Sequence, residues 1–166
     1  LEINNISWCF VWFYAHKIIF AIQTRSNSNE MISIQPVLHN KKQYLDLLLL
    51  ADEQESMIDR YLTGEMFVLS EDGSIRASCV VTREAEDIFE IKNIAVYPQF
   101  QRRGYGKKLN SIFSGIMQAD ADNARGTGDS PLAIPFYENC GFTYSHRIPD
   151  FFTDNYDHPI LKRANN

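Results

Sequence analysis

The sequence predicts a single α+β domain, and three observations carry that prediction. β-rich runs follow one another at residues 65–70, 74–84 and 87–98, and Asp72-Gly73 separates the first two. After Gly104 the apolar spacing changes from alternation to the three-and-four step of a helix. From Met31 onward no repeat, low-complexity tract or linker interrupts the pattern.

The elements follow in order. Residues 31–37 alternate apolar and polar side chains and read as a strand. Asn40 is placed to cap a helix whose Tyr44, Leu47, Leu48 and Ala51 form one apolar stripe. A second helix at 53–62 presents Met57, Ile58, Tyr61 and Leu62, and Gly64 ends it. The three β-rich runs predict an antiparallel meander, with a tight Asp-Gly hairpin and a stop at Pro98. Leu109, Ile112, Phe113, Ile116 and Met117 then form the buried face of a helix that starts at Gly104. A weak strand at 123–128, a helix at 131–140 stopped by Gly141, and a strand over "FTYSHRI" (142–148) complete the reading.

A length of 166 residues is enough for a core without disulfides or metals. The net charge of −5 gives no electrostatic footprint for nucleic acid or an anionic membrane and favours a cationic amine over an acidic substrate. Cys9, Cys79 and Cys140 are odd in number and form no C-x-x-C pair, which fits a reduced, cytoplasmic setting. The four histidines lack metal-ligand spacing, so no metal is expected. The apolar stretch 6–22 approaches the length of a membrane span, but His16 and Lys17 interrupt it where charge is costly. Residues 1–30 are read as an N-terminal extension of uncertain role, and 31–166 as the functional domain.

One short stretch stands out against the acidic background. "QRRGYG" and the lysine after it (101–107) set two glycines among three basic residues, directly after a strand and at the start of a helix. Helix-start amides attract anions, so amides from Arg103 to Lys107 can converge on a phosphate-bearing molecule, with Arg102, Arg103 and Lys107 at its rim. A solvated basic helix start is the plainer alternative. Neither G-x-x-x-x-G-K-S/T nor G-x-G-x-x-G is present.

The stretch resembles the Q/R-x-x-G-x-G/A signature of the GNAT acyltransferase superfamily, which holds the pyrophosphate of acetyl-coenzyme A. A second match follows: "PLAIPFYENCGF" (131–142) resembles the family's A-x-x-F-Y-x-x-x-G-F segment, with Ala133, Phe136, Tyr137, Gly141 and Phe142 in register. The resemblance covers about 31–150. It implies a mixed, mostly antiparallel central sheet flanked by helices, and an N-acetyltransferase of bacterial type that uses acetyl-CoA as co-substrate. It implies a coenzyme site of Gln101, Arg102, Arg103, Gly104, Tyr105, Gly106 and Lys107, together with the backbone of Ile94, Ala95 and Val96. One of those amides, Ile94 foremost, would face the thioester carbonyl as an oxyanion donor.

The resemblance also implies two catalytic residues. Glu90 lies fourteen residues before Gly104, the spacing of the family's histone-acetylating branch, and would act as general base. Alternation places Glu90, Lys92, Ile94 and Val96 on one face of the strand. An ion pair with Lys92 is the plainer reading of Glu90. Tyr137 would protonate the departing thiolate, and a packed aromatic is its plainer reading. Cys140 reads as core.

Two positions depart from the family pattern. Ser130 stands where the family often has Asn, which alters one coenzyme contact. After Arg147 only residues 159–163 remain for a closing seventh strand, and the apolar run 8–14 is a candidate substitute, within the chain or across a homodimer. In the tail, Asp150, Phe151, Phe152, Asp154, Tyr156, Asp157 and His158 interleave carboxylates with aromatics, which suits a cationic amine acceptor, while a polar loop with aromatic anchors is the plainer reading. The function read from the sequence is therefore direct acetyl transfer to the amine of a small molecule or peptide. A non-catalytic acyl-CoA-binding sensor is the second reading, and a membrane-anchored interaction protein, resting on 6–22 alone, the third.

Overall fold

The computed structural model describes residues 22–25, 31–86, 88–116, 124–126 and 133–157. Strands β3 (Glu65–Glu71) and β4 (Ser74–Ala85) meet at Asp72 and Gly73, whose φ values of 49° and 75° make the primed turn that suits strand twist. β4 pairs in turn with β5 (Ile88–Val96), giving the expected antiparallel meander. β2 (Met31–Pro36) adds to β3 with Ile34 opposite Leu69. β1 (Ile22–Arg25) lies within the stretch read as an extension and pairs antiparallel with β2.

At the other edge, β6 (Ala124–Gly126) runs parallel to β5, from Phe89 opposite Ala124 to Ile91 opposite Gly126. A parallel neighbour needs a crossover, and α3 (Tyr105–Ile116) lies in it. The sheet order is β1 to β6 in sequence.

Alternation along the strands feeds two cores. Ile32, Ile34, Leu69, Cys79, Val81 and Ile91 face α3, where Tyr105 and Leu109 meet them. Val37, Met66, Val68 and Val80 face the other way, against Leu48 of α1 (Leu45–Leu48) and Ile58 and Tyr61 of α2 (Glu55–Tyr61).

Two local expectations fail. Asn40 has a left-handed φ of 47° and makes no side-chain cap, and the chain passes through a 3-10 turn, Lys41–Tyr44, into the short α1. Residues 142–148 form no strand. Their alternation has nothing to cover, because Tyr144 and Ile148 are exposed and no described strand lies beside the run. The chain continues instead into α5 (Phe151–Asn155), and the segment after it hydrogen-bonds to Asp52 and Gln54, just before α2. The substitute run 8–14, the closing residues 159–163 and Ser130 lie outside the described residues.

Candidate active site

The glycine-rich loop is held from beneath. After β5 the chain makes a 3-10 turn at Pro98–Phe100, extends at Gln101, and turns left-handed at Arg102 (φ 61°) and Gly104 (φ 84°) before α3 begins. The Lys108 amide donates to the Gly104 carbonyl at 2.9 Å, the first bond of the helix. The amides of Tyr105, Gly106 and Lys107 therefore precede any intrahelical acceptor and form the positive end of the helix. Arg102, Arg103 and Lys107 are exposed around them, as expected. A β-carbon on Gly104 would touch nothing, so its glycine is required by φ alone.

Anchors reach inward from this loop. The Phe100 ring has the Arg76 guanidinium at 4.0 Å and that of Arg103 at 5.5 Å. Gln101 Nε2 donates to the Val96 carbonyl at 3.2 Å. The Tyr105 side chain points into the core, where its hydroxyl donates to Glu71, and Arg76 pairs with the same carboxylate at 3.3 Å. Of the loop residues read as coenzyme ligands, Tyr105 can offer only its backbone.

β5 supplies the second wall. β6 accompanies it only as far as Ile91, so among the described residues no strand pairs with that edge at Ile94, Ala95 and Val96. A bulge corrects the expected facing. Val80 lies opposite Asn93 but Val81 lies opposite Ile91, which makes Lys92 an extra residue. Ile94 is opposite Cys79 and so faces α3, whereas Glu90 is opposite Thr82 and faces the side of α1 and α2. Glu90 and Ile94 do not share a face. Simple alternation misses this because an inserted residue reverses the parity.

Lys92 Nζ lies 2.6 Å from Glu90 and 3.1 Å from Glu84. Burial opposes its charge, but the hydrogen bonds it donates to the two carboxylates outweigh burial and raise its pKa. The ion-pair reading of Glu90 is thus present in the structure.

The third wall is α4 (Ala133–Asn139). It ends in a Schellman motif: the Phe142 amide donates to the Tyr137 carbonyl and the Gly141 amide to that of Glu138, both at 3.0 Å, with Gly141 at φ 93°. The ring of Phe142 then meets that of Tyr137 edge-on, with centroids 5.2 Å apart. The G-F pair of the sequence motif therefore acts mechanically, fixing Tyr137 one turn upstream. Burial pushes the Tyr137 phenol up, and the charge of Glu90 adds to the shift, so the hydroxyl keeps its proton through the neutral range. Burial also raises the half-buried Cys140 thiol.

The family described as "Acetyltransferase (GNAT) domain" matches residues 63–144, which span all three walls. A protein of Bacillus subtilis (strain 168), described as the uncharacterized N-acetyltransferase YvbK, is 34% identical over 125 residues, covering 72% of this chain and 79% of the relative. The chain belongs to the GNAT acetyltransferase family. It is accordingly an acyltransferase. A GNAT family acetyltransferase from Elizabethkingia anophelis, solved with acetyl-CoA bound, is 34% identical with a TM-score of 0.68, over 80% of this chain and 89% of that one. A Bacillus subtilis acetyltransferase in complex with CoA is 29% identical with a TM-score of 0.67, over 78% and 88%.

The structure of this acetyltransferase adds residues that sequence reasoning did not assemble. Asp52, buried at the turn before α2, accepts from the Tyr61 hydroxyl at 3.1 Å and from the Tyr156 hydroxyl at 3.2 Å. Asn93, beside the bulge, donates to the Tyr61 oxygen at 3.1 Å and to the Leu48 carbonyl at 3.0 Å. Tyr156 lies 104 residues from Asp52, and no local pattern announces the pairing. Among the described residues, no helix is long and apolar enough to cross a membrane, and no group of three metal-ligating side chains occurs.

Proposed function

We propose that this acetyltransferase transfers the acetyl group of acetyl-CoA directly to the amine of a small molecule or peptide. One juxtaposition carries the reading. Among the described residues, the β5 edge that no strand pairs beyond Ile91 adjoins the amide-rich start of α3, where Gly106 faces Val96 and Phe136, and the half-buried Tyr137 lies against Gly126 at the end of β6. The helix start and Arg102, Arg103 and Lys107 suit the pyrophosphate, and the Ile94–Val96 backbone suits the pantetheine arm.

Bound there, acetyl-CoA presents an electrophilic thioester carbonyl. In the proposed reaction Glu90 accepts a proton from the acceptor ammonium, directly or through water, which frees the nitrogen lone pair. The carbon–nitrogen bond forms while a backbone amide next to the bulge stabilises the oxyanion. The carbon–sulfur bond then breaks, the nitrogen gives up its second proton to solvent and Tyr137 protonates the departing sulfur. Solvent then reprotonates Tyr137 and takes the proton from Glu90. The acceptor occupies the side of α1, α2 and the C-terminal segment, where Asp52, Tyr61, Tyr156 and Asn93 meet. Asp52 suits a cationic acceptor, because among the described residues no lysine or arginine forms an ion pair with it.

The test is thiol release from acetyl-CoA against a panel of polyamines, aminoglycosides, amino acids and peptides, with products identified by mass spectrometry. The reading expects an N-acetylated amine from at least one class. Tight coenzyme binding without any acetylated amine would instead support the sensor reading.

A further inference from the structure

We infer that Gly126 is a positioning residue for the Tyr137 hydroxyl, a role that no sequence motif assigns to it. The inference rests on the reading of Tyr137 as the proton donor. Gly126 ends β6 and lies opposite Ile91 in the parallel pair. A β-carbon at this position would lie 2.6 Å from Cε1, 2.7 Å from Cζ and 3.1 Å from Cδ1 of Tyr137. Non-bonded carbons settle at about 3.5–4.0 Å, so the ring rests on the bare backbone of Gly126, in space that any other residue would fill. Backbone conformation is not the reason for the glycine, because Gly126 is not among the residues at positive φ.

The ring has little freedom to move aside. Phe142 meets it edge-on at 5.2 Å and Phe136 at 5.4 Å, and the Schellman motif fixes the backbone that carries it. Phe136 is itself placed in the same way, since a β-carbon on Gly106 would lie 3.0 Å from its ring. Adjacent aromatics of α4 thus each lie on a glycine, one in α3 and one in β6. The two ring atoms pressed hardest at Gly126 are Cε1 and Cζ, and Cζ bears the hydroxyl. Restoring normal contact to an added methyl moves that end of the ring by roughly 1 Å. Proton transfer needs heavy atoms within hydrogen-bond reach, and misplacement on this scale costs about 10²-fold in rate.

The experiment compares Gly126→Ala in the wild-type, Tyr137→Phe and Tyr137→Leu backgrounds. Thiol release from acetyl-CoA is followed with water as acceptor, so no amine need be known. In the wild-type background kcat should fall by about 10²-fold with KM for acetyl-CoA within about threefold, and the defect should ease for acyl donors with more acidic thiols. In the Tyr137→Phe background, where no hydroxyl remains to misplace, Gly126→Ala should change kcat by less than about threefold. A wild-type kcat in Gly126→Ala overturns the inference, as does an equal loss in both backgrounds. Should Gly126→Ala not fold, adding Tyr137→Leu should restore folding by removing the colliding ring, and failure to restore it also overturns the inference. If Tyr137→Phe alone leaves kcat unchanged, the donor reading fails, and the inference, stated for the hydroxyl, falls with it. Stability recovery in Gly126→Ala with Tyr137→Leu would then retain only the ring contact.

Discussion

The hydroxyl of Tyr105, at the start of α3, donates to the carboxylate of Glu71 at the end of β3, thirty-four residues earlier. Arg76 pairs with the same carboxylate and lies over Phe100, so one buried group ties the proposed coenzyme loop to the hairpin beneath it. Tyr105→Phe should therefore lower stability by about 1–2 kcal/mol in urea denaturation and raise KM for acetyl-CoA more than it lowers kcat. An unchanged KM would show that the anchor serves folding alone.

The buried and half-buried phenols set an alkaline limit. Burial, then the hydrogen bond and charge of Asp46, raises the Tyr97 pKa from 10.0 to about 12. Burial first also raises Tyr61, Tyr105, Tyr137 and Tyr156, with further contributions from neighbouring carboxylates. A raised folded-state pKa means that above the unfolded value the native state holds more protons than the unfolded state. Stability from these groups is thus fully present below about pH 10 and falls as pH rises beyond it. Denaturation midpoints between pH 8 and 11 should show that decline, and Tyr61→Phe should make it shallower.

Gly104 separates loop conformation from loop chemistry. Gly104→Ala meets no steric obstacle but must hold φ at 84°, which should cost about 1–2 kcal/mol. Gly104→Glu adds negative charge where phosphate is proposed to sit. Acetyl-CoA at a hundred times its Kd should stabilise the wild type by about 2–3 kcal/mol, and Gly104→Glu should abolish that gain. A melting shift preserved in Gly104→Glu would remove the loop from coenzyme binding.

Acceptor recognition should depend on the charge of Asp52. Asp52→Asn keeps one acceptor oxygen for the tyrosine hydroxyls, replaces the other with an amide donor and loses the charge. With a cationic acceptor from the panel, its KM should rise about tenfold or more while KM for acetyl-CoA stays within about twofold. Tyr156→Phe should give a smaller rise. Equal increases in both KM values would point to a general loosening of α2.

What the sequence revealed and what it hid divide along the range of the forces involved. The Asp72-Gly73 hairpin, the α3 start after Gly104 and the Gly141 stop are local, and their residues announce them. The bulge at Lys92 depends on how two β-rich runs pair, and alternation within one run cannot show it. Residues 142–148 alternate as a strand would, yet strand formation needs a partner, and no described strand offers one. The Tyr137 ring on Gly126 and the Tyr156 contact with Asp52 join distant segments. The two GNAT motifs were legible because each encodes a local backbone shape, a left-handed loop before a helix and a Schellman stop. The acceptor side has no such shape to encode.

The central claim, direct transfer with Glu90 as base, is tested most directly by the pH–rate profile of Glu90→Gln beside Lys92→Met on a confirmed amine acceptor. Lys92→Met breaks the ion pair but keeps the carboxylate, and should hold turnover within about threefold. Glu90→Gln should lower kcat by about 10²-fold or more near neutral pH, and the defect should shrink as pH rises and the free amine becomes abundant. A Glu90→Gln profile that matches the wild type, or an equal loss in Lys92→Met, would contradict the account.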